Sequence, residues 1–441
     1  MKHVTGKPER DKRVIEAVVR RFGPISRSRI HELTDISTSA TSVLVRELMD
    51  EGRLLETGRA ANGKGTGRNE VLLELDEDFR FIAAVEFDEE NVMAGVLNMH
   101  PAIRNTVSEP ANLHGGVDGL VNQLVSCTRK VLEKAGLETS SLLGIGIADP
   151  GLVDSRRGVT VTSSTIDFWN QVPLQEIFEK EFGVPALVQS KTRAKTVAER
   201  VLGAGEMLDS MVYVDYGVGI GAGLILDGKL LLGERGAAGE FGHTHALAGG
   251  PACLCGSYGC LEAVAGARAV EARMRRLIAQ GGNSQALALA GGDPGNITVW
   301  NILEASSRGD KVSSNIVAEV AGYLGVGLAD LINLFNPSVI VLDKRLEAGG
   351  RELLDEIRLT VRRQALAWSN ERIAIRFAQL GSEAGILGLT MMILERYFEI
   401  PVLRPPRFMI EPAILPQPAE RAASGRGERL NALHAESGGS K

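Results

Sequence analysis

The chain has 441 residues, of which 44% are hydrophobic and 24% charged, and its net charge is −6. This composition is typical of a soluble protein with about two to four domains and a large core. Its apolar runs stop well short of the ~20 residues that a membrane-spanning helix needs, and no apolar segment follows the basic start of the chain. Four cysteines are too few for a secreted disulfide scaffold. We therefore expect a cytoplasmic protein with no membrane partner.

The first part of the chain is basic and the rest is acidic. Residues 1–75 hold 14 Lys and Arg against 11 Asp and Glu, a net charge of +3, whereas the remainder carries −9. A basic head on an acidic body is a weak indication that the head contacts a polyanion.

The basic head predicts three short helices and a β-hairpin. Val14, Val18 and Phe22 recur at helical spacing before Gly23-Pro24. Ser26 is suited to cap a second helix that runs to Leu33. Ser37 is suited to cap a third helix, which Gly52 ends. The predicted buried face of the third helix consists of Thr41, Leu44, Val45 and Leu48.

This layout is typical of a winged helix-turn-helix, so residues 1–75 are interpreted as a DNA-binding domain. The residues of the third helix expected to contact bases and phosphates are Thr38, Ser39, Ser42, Val43 and Arg46. A Gly-rich loop in the hairpin carries Arg59, Lys64 and Arg68, which suit phosphates or the minor groove. The alternative is a packing module whose Ser/Thr-rich helix is merely solvated.

From Phe81 onward, strands alternate with amphipathic helices, which favours an α/β fold. The predicted strands include FIAAVEF, VMAGVLNM, LLGIGIAD, MVYVDYG, GAGLILDG and SVIVLD, and the predicted helices lie around 117–135 and 314–335. We expect two lobes with a cleft, over 76–190 and 191–380, a helix over 381–400 that returns to the first lobe, and a flexible tail over 401–441.

A histidine and three cysteines form the most specific cluster in the sequence. They are His243, Cys253, Cys255 and Cys260. Three thiolates and one imidazole match a closed tetrahedral zinc site, so we expect structural Zn²⁺ that does not activate water. His245 is a substitute ligand in this interpretation, and Cys127 is a packing residue. The alternative is reduced cysteines beside an unrelated histidine.

This region resembles the zinc signature of the ROK family, named for repressor, open reading frame and kinase. The matching residues are Gly242, His243, Cys253, Cys255, Gly256, Gly259, Cys260 and Glu262, and further landmarks are GIADPGLVD, GAAGEFGH, GLADLINLFNPSVIVL and GSEAGILG. The resemblance runs from the winged helix to about residue 395. It implies the two-lobed, actin-like sugar-kinase fold. It also implies one of two functions, a sugar kinase or a sugar-responsive repressor with an N-terminal winged helix.

Three departures from the family's kinases argue against catalysis. The kinases cradle phosphates with an Asp-x-Gly-Gly-Thr loop, whereas this chain has 88–91, Asp-Glu-Glu-Asn, without glycines. The glycines on the adenosine side, after VIVL, are replaced by 343–345, Asp-Lys-Arg. Lys191 stands where the kinases have the aspartate that acts as general base, and an ammonium cannot accept the proton. The sequence therefore predicts no catalytic residues and no ATP.

The family's sugar contacts are largely retained. The resemblance assigns ligand binding to Gly151, Ser190, Lys191, Glu240, His243 and Glu262. The alternative is that Glu240, His243 and Glu262 serve only the loop around zinc. For the Lys191 ammonium we expect a bridge to Glu240 or Glu262. The other interpretations are an anionic group on the ligand or a solvated helix face.

We therefore expect a transcriptional repressor of carbohydrate metabolism with a catalytically inactive, sugar-kinase-like sensor domain. Its expected partners are an operator duplex, a sugar or acidic sugar derivative, and further copies of itself as a homodimer or homotetramer. Two alternatives stay open. One is a sugar kinase with an accessory DNA-binding domain, and the other is a DNA-binding regulator with no small-molecule effector.

Overall fold

The computed structural model describes residues 6–60 and 70–398. Lys64, Arg68 and the predicted tail 401–441 therefore lie outside the described residues. The described chain forms two compact units, 6–75 and 76–398.

The first unit is a three-helix head with a small antiparallel sheet. Its elements are α1 (Lys7–Phe22), β1 (Ile25–Ser26), α2 (Arg27–Leu33), α3 (Thr38–Asp50), β2 (Leu54–Ala60) and β3 (Glu70–Leu75). The sheet has the order β1-β3-β2. The Ser26 hydroxyl accepts a hydrogen bond from the Arg29 N–H and the Ser37 hydroxyl from the Ala40 N–H, which confirms both predicted caps. This is the arrangement of a winged helix-turn-helix unit.

The buried side chains of α3 match the prediction, whereas the helical pattern of α1 is buried only in part. Thr41, Leu44, Val45 and Leu48 are the buried residues of α3, as predicted. Phe22 extends the helical pattern of α1, but it is 39% exposed because it lies in the last position of the helix. The Arg53 guanidinium, after α3, donates two hydrogen bonds to the buried carboxylate of Glu16. This bidentate pair holds α1 against the end of α3.

The second unit begins with a five-stranded sheet. The strands from 81 to 190 are β4 (Phe81–Phe87), β5 (Asn91–Asn98), β6 (Ile103–Pro110), β7 (Leu142–Asp149), β8 (Leu152–Asp154), β9 (Val159–Thr162) and β10 (Ala186–Ser190). The helices here are α4 (Gly116–Ala135), α5 (Leu174–Phe182) and α6 (Lys191–Leu202). The sheet order is β10-β7-β4-β5-β6, while β8 and β9 form a separate hairpin.

A second five-stranded sheet follows. Its strands are β11 (Met211–Tyr216), β12 (Ile220–Leu226), β13 (Lys229–Leu230), β14 (Val339–Leu342) and β15 (Ala374–Phe377). The remaining helices are α7 (Leu261–Ala265), α8 (Ala267–Ala279), α9 (Gln285–Leu289), α10 (Val299–Ser307), α11 (Lys311–Phe335), α12 (Gly350–Gln364), α13 (Ala367–Asn370) and α14 (Ala384–Phe398). The sheet order is β13-β12-β11-β14-β15.

The two sheets repeat one topology. In each, the first strand pairs antiparallel with the second, the second lies beside the third, and the fourth and fifth strands run parallel on the other side of the first. Parallel neighbours place their carboxyl ends at one edge of a sheet, where ligands bind in α/β proteins. The duplicated order is the two-lobed α/β architecture expected from the sequence.

Two helices connect the halves of this unit. Ala194 and Ala198 of α6 pack with Ala84 of the first sheet and Ala384 of α14. The other side of α6 contacts β11 and β12 of the second sheet. α14 lies on the first sheet, where Leu394 and its neighbours form a core cluster with β4. α6 therefore lies between the sheets, with its first turn at the edge where they meet.

The long helix α11 is a core element of the second sheet. It has the length and apolar composition of a membrane-spanning helix. Twelve of its residues are buried, among them Ile316, Leu324 and Ile332, and these three belong to the large apolar core of the second sheet. Its apolar character is therefore accounted for by packing within the protein.

Candidate ligand cleft and metal centre

A cleft of about 450 Å³ opens where the carboxyl ends of the parallel strands meet. The ends of β4, β7, β10, β11 and β14 all contribute to its walls. The structure brings all six residues assigned to ligand binding into this interlobe cleft: Gly151, Ser190, Lys191, Glu240, His243 and Glu262.

Lys191 forms an ion pair across the cleft with the turn between β4 and β5. Its Nζ lies 2.8 Å from Asp88 Oδ2, and the two side chains are 12% and 24% exposed. Burial alone would lower the pKa of Lys191, but Asp88, Asp215 and Glu86 together raise it above its ordinary value. Lys191 is therefore a paired cation and cannot act as a base near neutral pH.

This geometry corrects the expected partner of Lys191. The bridge was expected to reach Glu240 or Glu262, and both alternatives, a ligand anion and a solvated face, were left open. Asp88 Oδ1 accepts the backbone N–H groups of Glu90 and Asn91, which turns Oδ2 toward α6. The internal bridge exists, the partner was wrong, and the solvated face is contradicted by the burial of Lys191.

A second buried lysine on α6, Lys195, serves the opposite lobe. Its Nζ lies 2.9 Å from Asp215 Oδ1 and 3.5 Å from Asp343 Oδ2. Thr192 donates to the other oxygen of Asp215. Burial would raise the pKa of Asp215, but Lys195 and Lys191 hold it far below its ordinary value. The sequence signal for Lys195 was its spacing of four from Lys191, which places both on one helix face.

Arg345 fills the second-lobe end of the cleft. Its guanidinium donates to the carbonyl oxygen of Tyr216 at 2.6 Å and to the Asp343 carboxylate at 3.1 Å. It also lies 4.7 Å from the ring centroid of Trp300. The Gly217–Gly221 turn lines the same end of the cleft. Sequence analysis missed this turn, although its alternating glycines after a strand were a visible signal.

Glu86 is a buried carboxylic acid behind the Lys191 pair. Its Oε2 is buried and has no hydrogen-bond partner among the described residues. Burial raises the pKa of Glu86 to about 7, although Lys195 and Lys191 act in the opposite direction. Lys191 and Lys195 each bind an aspartate directly, and within the described residues neither forms an ion pair with Glu86.

The first-lobe wall contains two predicted ligand positions, Gly151 and Ser190. A Cβ on Gly151 would lie 2.5 Å from the Thr162 carbonyl oxygen, so close packing of the β8–β9 hairpin already requires glycine there. Ser190 is the N-cap residue of α6, and its side chain makes no capping hydrogen bond. Its hydroxyl therefore remains at the cleft surface for a ligand.

The second-lobe wall presents Glu240, Glu262 and His243. Burial raises the pKa of both glutamates, while His243 lowers each. Glu262 Oε2 accepts the Ile220 N–H at 3.0 Å. Arg193, buried nearby, donates to the carbonyl oxygen of Ala238 and so holds the loop that presents Glu240. Carboxylates in this setting are suited to accept hydrogen bonds from sugar hydroxyls.

The four predicted metal ligands lie together beside the cleft. One ligand atom each of His243, Cys253, Cys255 and Cys260 lies within 4.8 Å of all the others. The Cys253 Sγ to His243 Nδ1 and Cys255 Sγ to Cys260 Sγ distances are both 3.7 Å. In a tetrahedral zinc site with Zn–S about 2.3 Å and Zn–N about 2.0 Å, ligand atoms are about 3.5–3.8 Å apart. The donor set and spacing therefore fit Zn²⁺.

Local backbone geometry explains how the cysteine loop folds. The Gly256 N–H donates to the Cys253 carbonyl oxygen, which closes a tight turn between the thiols. Gly256 and Gly259 have φ values of +90° and +67°, a region that favours glycine. His245 pairs with Cys260 through the backbone and is not part of the cluster.

The predicted DNA contacts on α3 all face away from its core. Thr38, Ser39, Ser42 and Arg46 are exposed, and Val43 is 52% exposed. Arg59 is exposed on β2. The described candidates for DNA contact are therefore all exposed to solvent, five on α3 and Arg59 on β2.

Comparisons with known proteins agree with this fold. The model of the ROK family matches residues 98–396. This chain belongs to the ROK family. It is 30% identical to the xylose repressor of Caldicellulosiruptor bescii, over 86% of this chain and 93% of the repressor.

Solved structures of this family include both of its classes. A ROK-family transcriptional regulator, a homologue of the E. coli MLC protein, has a TM-score of 0.75 with 24% identity and covers 89% of this chain and 97% of its own. A ROK glucokinase from Streptomyces griseus, with glucose and AMPPNP, has a TM-score of 0.63 with 30% identity and covers 71% of this chain and 98% of its own. The repressor and the regulator therefore align over more of this chain than the kinase does.

Proposed function

We propose that this ROK protein is a DNA-binding transcriptional repressor whose kinase-like unit is a ligand sensor. The observation that carries the proposal is the exposed face of α3, where hydroxyls, Val43 and Arg46 lie opposite the buried face of Thr41, Leu44, Val45 and Leu48. Arginine and hydroxyl side chains read base edges, and a helix of this kind enters the major groove. The xylose repressor matches across nearly the whole of its own length, which supports the same class.

The proposed sensor performs no phosphoryl transfer. Lys191 stands at the position of the family's general base, and its ammonium is already bonded to Asp88. Asp88 belongs to the turn that replaces the phosphate loop. The two residues that differ from the kinases, Lys191 and Asp88, therefore form an ion pair with each other. Arg345 and Trp300 occupy the end of the cleft where the kinases' adenosine-side glycines are replaced.

The alternative function is a sugar kinase, and one observation favours it. The glycine-rich turn 217–221 lines the cleft and resembles a phosphate-binding loop. An ADP-release assay over a broad panel of sugars discriminates between the two. The repressor proposal predicts no turnover above the sugar-free rate, and turnover that Lys191→Ala abolishes would contradict it.

Zinc in this proposal is structural and holds the loop that carries His243 into the cleft. All four ligand positions come from the protein, so no open position remains for water. His243 directs Nδ1 toward Cys253, which leaves its Nε2 for the cleft side. Metal binding thereby positions one ligand-contacting ring without taking part in chemistry.

The partners that fit this proposal are a duplex operator, a sugar-like effector and a second copy of the chain in the cytoplasm. A ligand that spans both walls of the cleft would change the relation of the lobes and thereby operator affinity. Fluorescence anisotropy with a duplex from the promoter of the protein's own gene tests the DNA partner. Preference over a random duplex supports the proposal, and equal affinity for both contradicts it.

A further inference from the structure

The ionisable groups that line the interlobe cleft are mostly acidic. The carboxylates are Asp88, Glu89, Glu90, Asp215, Glu240, Glu262 and Glu271, and the permanent cations are Lys191, Arg193 and Arg345. Seven carboxylates thus face three cations. An anionic ligand entering this cleft would meet net negative charge on its walls.

Each of the three cations already has internal partners. Lys191 binds Asp88 at 2.8 Å. Arg193 donates to the carbonyl oxygens of Gly236 and Ala238 and so secures the backbone before Glu240. Arg345 binds Asp343 and lies over Trp300. A ligand anion would have to displace one of these partners, which would leave the displaced group unpaired in a partly buried site.

Four of the carboxylates have no cation within ion-pair distance. Within the described part of the chain, Glu89, Glu90, Glu240 and Glu262 form no ion pair, although Glu262 Oε2 accepts the Ile220 N–H. Glu89 and Glu90 extend from the β4–β5 turn of the first lobe, and Glu240 and Glu262 come from the second. The cleft therefore has acidic groups on both walls that a ligand cation would neutralise.

We propose that the effector of this cleft is a polyhydroxylated amine, a sugar that carries a free ammonium group. This inference rests on the proposed function, because it names the ligand class of the same sensor. The hydroxyls donate to Glu240 and Glu262, and the ammonium lies beside Glu89 and Glu90, on the turn that replaces the phosphate loop. An ammonium beside carboxylates gains Coulomb energy, whereas an acidic sugar is repelled. The acidic effector considered from the sequence is thereby disfavoured.

Isothermal titration calorimetry with the full chain tests the proposal. The ligands are glucose, galactose and mannose, each as neutral sugar, 2-amino sugar and uronate, at about pH 6.5, where an amino group is protonated. At least one amino sugar is expected to bind tenfold or more tightly than its neutral parent, a difference of about 1.4 kcal/mol. The corresponding uronate is expected to show no binding.

Matched variants test whether Glu89 and Glu90 are the carboxylates that bind the ammonium group. Combined Glu89→Gln and Glu90→Gln substitutions are expected to reduce the amino-sugar preference below about threefold, roughly half the Coulomb gain. Combined Asp118→Asn and Glu133→Gln substitutions, an equal charge change at exposed positions of α4, are expected to leave it intact. Equal affinity for amino and neutral sugars, tighter uronate binding, or no binding by any sugar would overturn the inference. So would binding of Ca²⁺ alone that the double variant abolishes. Duplex binding on the same preparations decides the repressor proposal separately.

Discussion

The ion pair between Lys191 and Asp88 is the residue-scale feature on which the proposed absence of kinase activity rests. A lone lysine at the base position would be a costly buried charge, and a lone carboxylate in the phosphate turn would be unpaired as well. Because Lys191 Nζ and Asp88 Oδ2 form an ion pair at 2.8 Å, neither charge is left unpaired. The two sequence departures are therefore one structural unit.

A double-mutant cycle measures this coupling. Lys191→Ala and Asp88→Asn are each expected to destabilise the 76–398 unit, because each leaves a partly buried charge without its partner. The double variant is expected to recover about 1–3 kcal/mol relative to the sum of the single effects. Chemical denaturation followed by tryptophan fluorescence gives the values. If the losses of stability in the two single variants simply added up in the double variant, the predicted coupling between Lys191 and Asp88 would be contradicted.

Glu86 predicts a pH dependence of a definite sign. Its folded-state pKa of about 7 lies above the ordinary value of 4.5 because the carboxyl group is fully buried, while Lys195 and Lys191 oppose this rise only in part. The unfolded chain therefore loses this proton first as pH rises. Between about pH 4.5 and 7 the free energy of unfolding should fall, by at most about 3 kcal/mol, and then level off.

Glu86→Gln isolates that contribution, since the amide keeps the shape of the acid and does not ionise. The variant is expected to match the wild type near pH 5 and to be more stable than it near pH 8. Calorimetric melting at both pH values provides the comparison. A variant that is less stable than the wild type at pH 8 would show that the Glu86 anion is stabilising.

At this scale the sequence identified the position of the unusual cation but not its partner. Lys191 was found because a lysine replaces a base in an otherwise recognisable segment. Asp88 was noted only as part of a turn without glycines, because the sequence does not show that its Oδ1 is held by the turn and its Oδ2 faces α6. The partners of Lys195 were missed for the same reason, because Asp215 and Asp343 are distant from it in the chain.

At the scale of elements, α3 and the cysteine loop have the clearest functional tests. Helix α3 was predicted with its caps and its buried face, because Ser37, Gly52 and the 3.6-residue period are all local signals. Strands β1 and β13 were not predicted, because each is only two residues long and depends on pairing with a distant strand. Local chemistry thus fixes this helix, whereas tertiary pairing fixes these short strands.

Arg46→Ala tests the role of α3 in DNA binding. Arg46 is exposed on the side opposite the helix core, so its loss is expected to weaken operator binding by about 1–3 kcal/mol and leave folding unchanged. Arg29→Ala is the matched control, because Arg29 is exposed on α2 and pairs with Glu32. Anisotropy titrations compare the two variants, and equal losses would contradict base contact by α3.

Zinc removal tests the cysteine loop. Elemental analysis is expected to find about one zinc per chain, and Cys255→Ser is expected to lower that content. Chelation should destabilise the 76–398 unit, since binding energy of a structural metal is folding energy. Cys127→Ser is the control, because Cys127 is a buried residue of α4 in the core of the first sheet and is far from the cluster in sequence. Zinc-free wild-type protein that keeps the same melting temperature would contradict the assignment.

At the scale of the whole chain, the described residues form two compact units in one polypeptide. The α/β alternation predicted the class of the 76–398 unit, and the ROK signature predicted its architecture. The repeat of one strand order in both sheets was not visible in the sequence, since the lengths of the connecting segments differ greatly. The position of α6 between the sheets was not visible either, because it depends on how small residues such as Ala194 and Ala198 pack.

We propose that the head reads a specific duplex sequence and that the remainder senses a ligand without chemistry. Selection of binding sequences from a random duplex pool tests this proposal most directly, with wild type and Arg46→Ala compared side by side. We expect one enriched motif for the wild type, with two related half-sites, and relaxed preference at one position of each half-site in the variant. A wild-type pool without enrichment, or an identical motif from both proteins, would contradict it.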